Sequence, residues 1–148
     1  MSFSKALTKM AILAFFLASF TAAAAHLKAN QLQARQAAQI DPKTLNACSN
    51  PQIEFGGGFG NRAATELTFR PADAANFAHG EAKNIGIITQ FMCDTLVNKC
   101  GFKNADKTFT DCKSIEASVG AGNNGALADK WNAGFGISTN FAATGAKK

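Results

Sequence analysis

The sequence predicts an α+β domain, a small antiparallel sheet packed on a disulfide-tied layer of about three helices. Three observations predict it. Apolar residues recur at helical spacing through 84–99, 105–119 and 124–134, short apolar–polar alternations flank these segments, and four cysteines are spread among them.

The first alternation sets Ile53 and Phe55 against Gln52 and Glu54, and the second sets Leu67 and Phe69 against Glu66, Thr68 and Arg70. Both read as short half-buried strands. The intervening GGGFGNRAAT has the glycine content of a mobile hairpin loop. Pro71 and Asp73 then open a helical turn that runs to Phe77 and ends at Gly80.

In 84–99, Ile85, Ile88, Met92, Cys93 and Leu96 fall on one side, continued by Cys100, with Lys83, Gln90, Asp94 and Asn98 opposite. Such a stripe is the mark of a helix that buries one face, although Gly86 costs it about 1 kcal/mol relative to Ala. Ala105, Phe109, Cys112, Ile115 and Val119 form a second stripe, broken by the glycines of GAGNNG. Leu127, Trp131 and Phe135 mark a third helix, with Asn124 as its N-cap and Gly134 and Gly136 at its end. Beyond it, Phe135, Ile137, Thr139 and Phe141 alternate with Gly136, Ser138 and Asn140, which predicts a last strand joining the sheet.

The helices also choose among the three pairings that four cysteines allow. If 84–99 and 105–119 form an antiparallel hairpin about Gly101–Asn104, then Cys93 and Cys112 stand at matching heights. Cys93 and Cys100 lie two turns apart on one helix, about 10 Å between Cα atoms and too far to bond. That selects Cys93–Cys112 and leaves Cys48–Cys100. In the chain-entropy model the shorter loop contributes about 3 kcal/mol and the longer about 4. A zinc site would need CxxC-type spacing, whereas the gaps here are 44, 6 and 11 residues and the histidines are His26 and His79 alone. No metal or other cofactor is expected.

The N-terminus reads as an export signal over 1–25. Lys5 and Lys9 precede the apolar run Met10–Phe20, and TAAAA offers small side chains for cleavage before His26. Eleven apolar residues rise only about 17 Å as a helix, short of the ~30 Å hydrocarbon core, so no stable membrane insertion is expected. The stretch 26–47, rich in Ala and Gln, reads as a pro-segment or flexible arm, and 48–148 as the single disulfide-stabilised domain. Removing Lys5 and Lys9 takes the formal charge from +5 to +3, and removing the arm as well leaves +1. Basicity therefore belongs mostly to the leading segments, and no nucleic-acid partner is expected.

Few residues suggest chemistry. The glycine run lacks the lysine and hydroxyl residue of a P-loop and opens no helix pattern. It reads instead as a flexible hairpin tip, whose exposed Phe59 offers an anchor for a partner pocket, with Arg62 in the same loop. His79, followed by Glu81, offers an acid–base pair without a nucleophile motif; its ordinary role is a helix-edge histidine bonded to backbone. Glu54 and Glu66 would lie on the solvent faces of adjacent strands, but a glycosidase pair needs one acid of raised pKa in an aromatic groove. The chain has no tyrosine and one tryptophan, so that groove is poorly supplied. Phe59, Arg62 and His79 are the candidate binding residues, and no catalytic set is assigned.

The text CSNPQIEFGGG, ELTFRPADAANFAHGEAKNIGIITQFMCDTLVNKC, the later Cys112 and WNAGFGISTNFA together resemble a group of fungal small secreted four-cysteine proteins of unknown function. The resemblance covers about 48–143. It implies an extracellular setting and an effector-like role, directed at a host extracellular protein or a cell-wall component, and it transfers no catalytic residue. Cerato-platanins also carry four cysteines, but their spacing and the lack of tyrosine here argue against that family. The expectation is a secreted, non-enzymatic interaction protein; the alternatives are a small hydrolase or carbohydrate-active protein using Glu54, Glu66 or His79, and a carrier of an apolar ligand.

Overall fold

The computed structural model describes residues 39–146. The signal peptide expected at 1–25 and residues 26–38 of the arm lie outside them.

The two early strands form as expected, β1 at Ile53–Gly56 and β2 at Thr68–Pro71. They pair antiparallel with Ile53 opposite Pro71, Glu54 opposite Arg70, Phe55 opposite Phe69 and Gly56 opposite Thr68. Alternation sends Ile53, Phe55 and Phe69 into the core, where the Phe55 and Phe69 rings meet at 4.7 Å between centroids. Thr68 is also buried, and its Oγ1 has no partner. The outer edge of β2 bonds both ways with Ala82, through Phe69 N–H to the Ala82 carbonyl at 2.8 Å and Ala82 N–H back at 2.9 Å.

The turn after β2 is set by Asp73, whose Oδ1 accepts from the backbone N–H groups of Ala75 and Asn76. It delivers Phe77 into the core with no exposed surface.

Three helices follow: α1 at Ile85–Asn98, α2 at Lys107–Val119 and α3 at Gly125–Gly134. The Asn84 side chain caps α1 by accepting from Gly86 N–H at 3.0 Å, and the same oxygen accepts from Gly122 N–H at 3.2 Å, fixing the loop before α3 to the start of α1. The stripe read from the sequence is the buried face of α1: Ile85, Ile88, Met92, Cys93 and Leu96 are all in the core. In α2 the buried residues are Cys112, Ile115 and Val119, while Ala105 precedes the helix and is exposed. Helix α3 packs against α2 where Gly134 faces Ile115 so closely that a Cβ would lie 2.8 Å from Ile115 Cγ2. Trp131 is fully buried, and its indole N–H donates to the Pro51 carbonyl at 2.8 Å.

The disulfides are Cys48–Cys100 and Cys93–Cys112, with Cα separations of 5.9 and 5.7 Å. The first ties the 3-10 turn at Asn46–Cys48 to the chain just beyond α1; the second ties α1 to α2. Two bridges and no free thiol place the described residues in an oxidising environment. Among them no helix is long and apolar enough to cross a membrane.

Two expectations are corrected. The domain does not begin at 48, because Ile40 and Leu45 are buried and Ile40 N–H donates to the Gly134 carbonyl at 2.9 Å. In a stretch so poor in apolar residues these two are enough to dock 39–47 on the core. The last strand does not form either. Asn132, with its side chain fully buried, accepts from Ile53 N–H at 2.8 Å and donates to the Ile53 carbonyl at 2.9 Å, satisfying the edge of β1 that another strand would need. Asp129 meanwhile accepts from Thr139 Oγ1, Phe141 N–H and Ala142 N–H, which curls 135–140 and starts a 3-10 helix at Phe141–Ala146. The sheet therefore has two strands.

Candidate functional site

The glycine-rich loop between β1 and β2 is not the mobile tip its composition predicts. Gly58 N–H donates to the Ala63 carbonyl, Arg62 N–H to Phe59 and Glu66 N–H to Ala63, so the loop closes on itself. Gly57 is required there, since a Cβ would stand 1.8 Å from the Ala64 carbonyl oxygen.

The closed loop folds back over the polar face of the sheet. Phe59, expected as an exposed anchor, is half-buried. Its ring lies against Gly56 and beneath the Arg70 guanidinium, whose carbon is 3.9 Å from the ring centroid. A Cβ at 56 would stand 3.2 Å from the ring, so a larger residue there would push it outward. Arg70 is further held by its cross-strand partner, donating from Nε to Glu54 Oε2 at 2.8 Å.

Arg62 points the other way and joins the loop to the segment before α1. It donates to Glu66 at 2.5 Å and to Glu81 Oε1 at 3.0 Å, and Lys83 pairs with Glu66 at 2.9 Å. Lys83 and Arg62 together hold the Glu66 carboxyl below its usual range. Glu81 is held down by its own backbone N–H and by Arg62. Gly60, with φ of +58°, sits directly on the Glu81 carboxylate.

His79 completes the face. Its Nδ1 donates to the Gly80 carbonyl at 2.7 Å, which in the neutral ring leaves Nε2 as an acceptor, and its ring packs at a tilt against Phe91 of α1, 4.7 Å between centroids. Arg70, Pro71, Ala72, His79, Gly80 and Glu81, with Gly60 and Ala74, line a cleft of about 360 Å³.

The structure thus gathers the three candidate binding residues, Phe59, Arg62 and His79, around one cleft, although only His79 lines it. Sequence reasoning missed Arg70 and Glu81 as its walls. The signal for Arg70 was present, since antiparallel pairing of the two strands sets it opposite Glu54. Glu54 and Glu66 do not form a pair across the strands: Glu66 lies in the loop before β2, each carboxylate has its own cation, and Glu66 is held ionised. Comparison with family models, curated proteins and solved structures finds no match to this chain.

Proposed function

We propose that this is a secreted, non-enzymatic interaction protein, effector-like in the manner of the fungal proteins its sequence resembles, acting on a host extracellular protein or a cell-wall component. The observation that carries the reading is the clamped loop. A glycine-rich segment is tied to the sheet by the Phe59–Arg70 cation–π stack and to the segment before α1 by the Arg62–Glu81 and Lys83–Glu66 ion pairs, and what this holds in place is a surface face rather than the core. Fixing surface groups in one geometry lowers the entropy lost on binding.

The chemistry of the face supports binding over hydrolysis. A general acid needs a raised carboxyl pKa, and Glu66 and Glu81 are both moved the other way. The contiguous core from Ile53 and Phe69 through Ile88 and Met92 to Trp131 favours a surface site over an internal apolar carrier site.

Affinity capture with the mature protein, from host extracellular extract and from wall fractions, tests the reading. The expected result is a specific retained component, lost when Arg62 and His79 are both replaced by Ala. A turnover of wall material abolished by His79→Ala would overturn it.

A further inference from the structure

The cleft beside the clamped loop has a charge balance that selects among ligands. Three cations, Arg62, Arg70 and Lys83, are matched by three carboxylates, Glu54, Glu66 and Glu81, and all six are engaged in pairs. Together these six groups carry no net charge. An anion entering the cleft meets the Glu81 carboxylate in its wall, so phosphate or polyuronate is poorly served.

The same groups suit a ligand whose every polar atom both donates and accepts. The Arg70 guanidinium is immobilised by Phe59 and by Glu54 at Nε, which leaves its terminal amino groups to donate. Glu81 is fixed through Oε1 by Arg62 and supplies an acceptor, as does Nε2 of His79, whose ring is fixed by Phe91 and the Gly80 carbonyl. Between these polar groups lie the apolar surfaces of Pro71, Ala72 and Ala74. Planar donors and acceptors beside a small apolar surface match the vicinal hydroxyls and C–H face of a pyranose. The volume, about 360 Å³, lies at the small end of the ligand-site range.

We propose that the cleft formed by Arg70, His79 and Glu81 is a subsite for a neutral pyranose unit of a polysaccharide. The inference rests on reading the loop face as the contact surface, and within that reading it directs the protein to wall glycan rather than to a host protein.

The test is titration of the mature, disulfide-bonded protein with neutral gluco-, manno- and N-acetylglucosamine hexasaccharides, and in parallel with a hexagalacturonate, followed by amide and guanidinium NMR shifts at low and high salt. The expected result is saturable shifts at Arg70 Nε–H, Gly60, Gly80 and Glu81 with one or more neutral oligomers, insensitive to salt. Arg70→Lys keeps the charge and loses the planar fork, and His79→Ala removes one acceptor. Each should weaken that binding about tenfold while the thermal transition and a remote Lys107→Ala control stay unchanged. Neutral oligomers that leave the cleft amides unshifted, binding confined to hexagalacturonate with steep salt dependence, or neutral binding indifferent to both variants would each overturn the proposal. A host protein that maps to this face while the sugars do not would overturn the sugar assignment and spare the interaction reading; failure of both would remove both.

Discussion

The helical half and the loop half of this domain are held by different forces. One disulfide joins α1 to α2, a second ties the 46–48 turn to the end of α1, and all three helices share side chains such as Trp131, Ile88 and Met92 that water does not reach. The segment 57–83 puts Phe69 and Phe77 into that same core and pairs β2 with β1, but its outer face, the loop 57–66 and residues 79–83, is held by ion pairs between partly exposed groups and one cation–π stack. Burial and covalent bonds contribute most of the stability, whereas exposed ion pairs contribute little to it and mainly fix geometry. A domain built this way can alter its loop face without losing its fold, which is the division of labour expected of a binding scaffold.

The comparison breaks first at Trp131. Trp131→Ala removes the largest fully buried side chain and leaves the Pro51 carbonyl without its donor, so about 3–5 kcal/mol of stability should be lost in denaturant unfolding. Retention of a near-native midpoint would show that α3 is not central to the core. Replacing Cys93 and Cys112 together by Ala comes next, with about 3 kcal/mol lost. A loss no larger than that of a surface substitution would mean that packing alone holds α1 to α2.

Asp129 lies between the two regimes. Burial raises its pKa, but the Phe141 N–H, the Thr139 hydroxyl and the Ala142 N–H more than offset this and the net shift is downward. A depressed folded pKa gives stability that is present above the ordinary carboxylate value near 4 and is lost as pH falls through the folded value. Asp129→Asn should therefore cost about 1.5 kcal/mol at neutral pH and flatten part of the acid limb of a melting profile. An unchanged acid limb would assign that limb to other carboxylates, such as Asp73, which Asn76 holds low.

The smallest global effect is expected at the clamp. Arg62→Ala unties the loop from Glu66 and Glu81. Amide exchange in 57–66 should speed up while α1 and α2 keep their protection. Faster exchange throughout the helices would show that the two regions unfold as one. Ile87, 51% exposed on α1, should tolerate Ser within about 0.5 kcal/mol.

The helical half was legible in the sequence because burial imposes a period. The stripe from Ile85 to Leu96 names the face that packs, and the spacing of Cys93 and Cys112 about a four-residue turn carries the hairpin geometry in it. The alternation from Phe135 to Phe141 carries a period as well, yet a strand needs a free edge to pair with. The side chain of Asn132 occupies the edge of β1, a fact no local pattern encodes. The loop misled in a similar way. Four glycines read as freedom, but at Gly57 the backbone approaches the Ala64 carbonyl too closely for a side chain, and Gly60 takes a φ of +58° beside the Glu81 carboxylate.

The sequence by itself determined the class of the fold, the positions of two strands and three helices, and the partners of the four cysteines, since each follows from spacing along one chain. Only the tertiary structure decided that 39–47 belongs to the domain, that the sheet stops at two strands, and that Phe59 lies beneath Arg70 beside a cleft walled by His79 and Glu81. The first rests on two buried side chains, Ile40 and Leu45, too few to show a period, and the others on which polar groups find partners across tens of residues, since hydrogen bonds and ion pairs leave no period in a sequence.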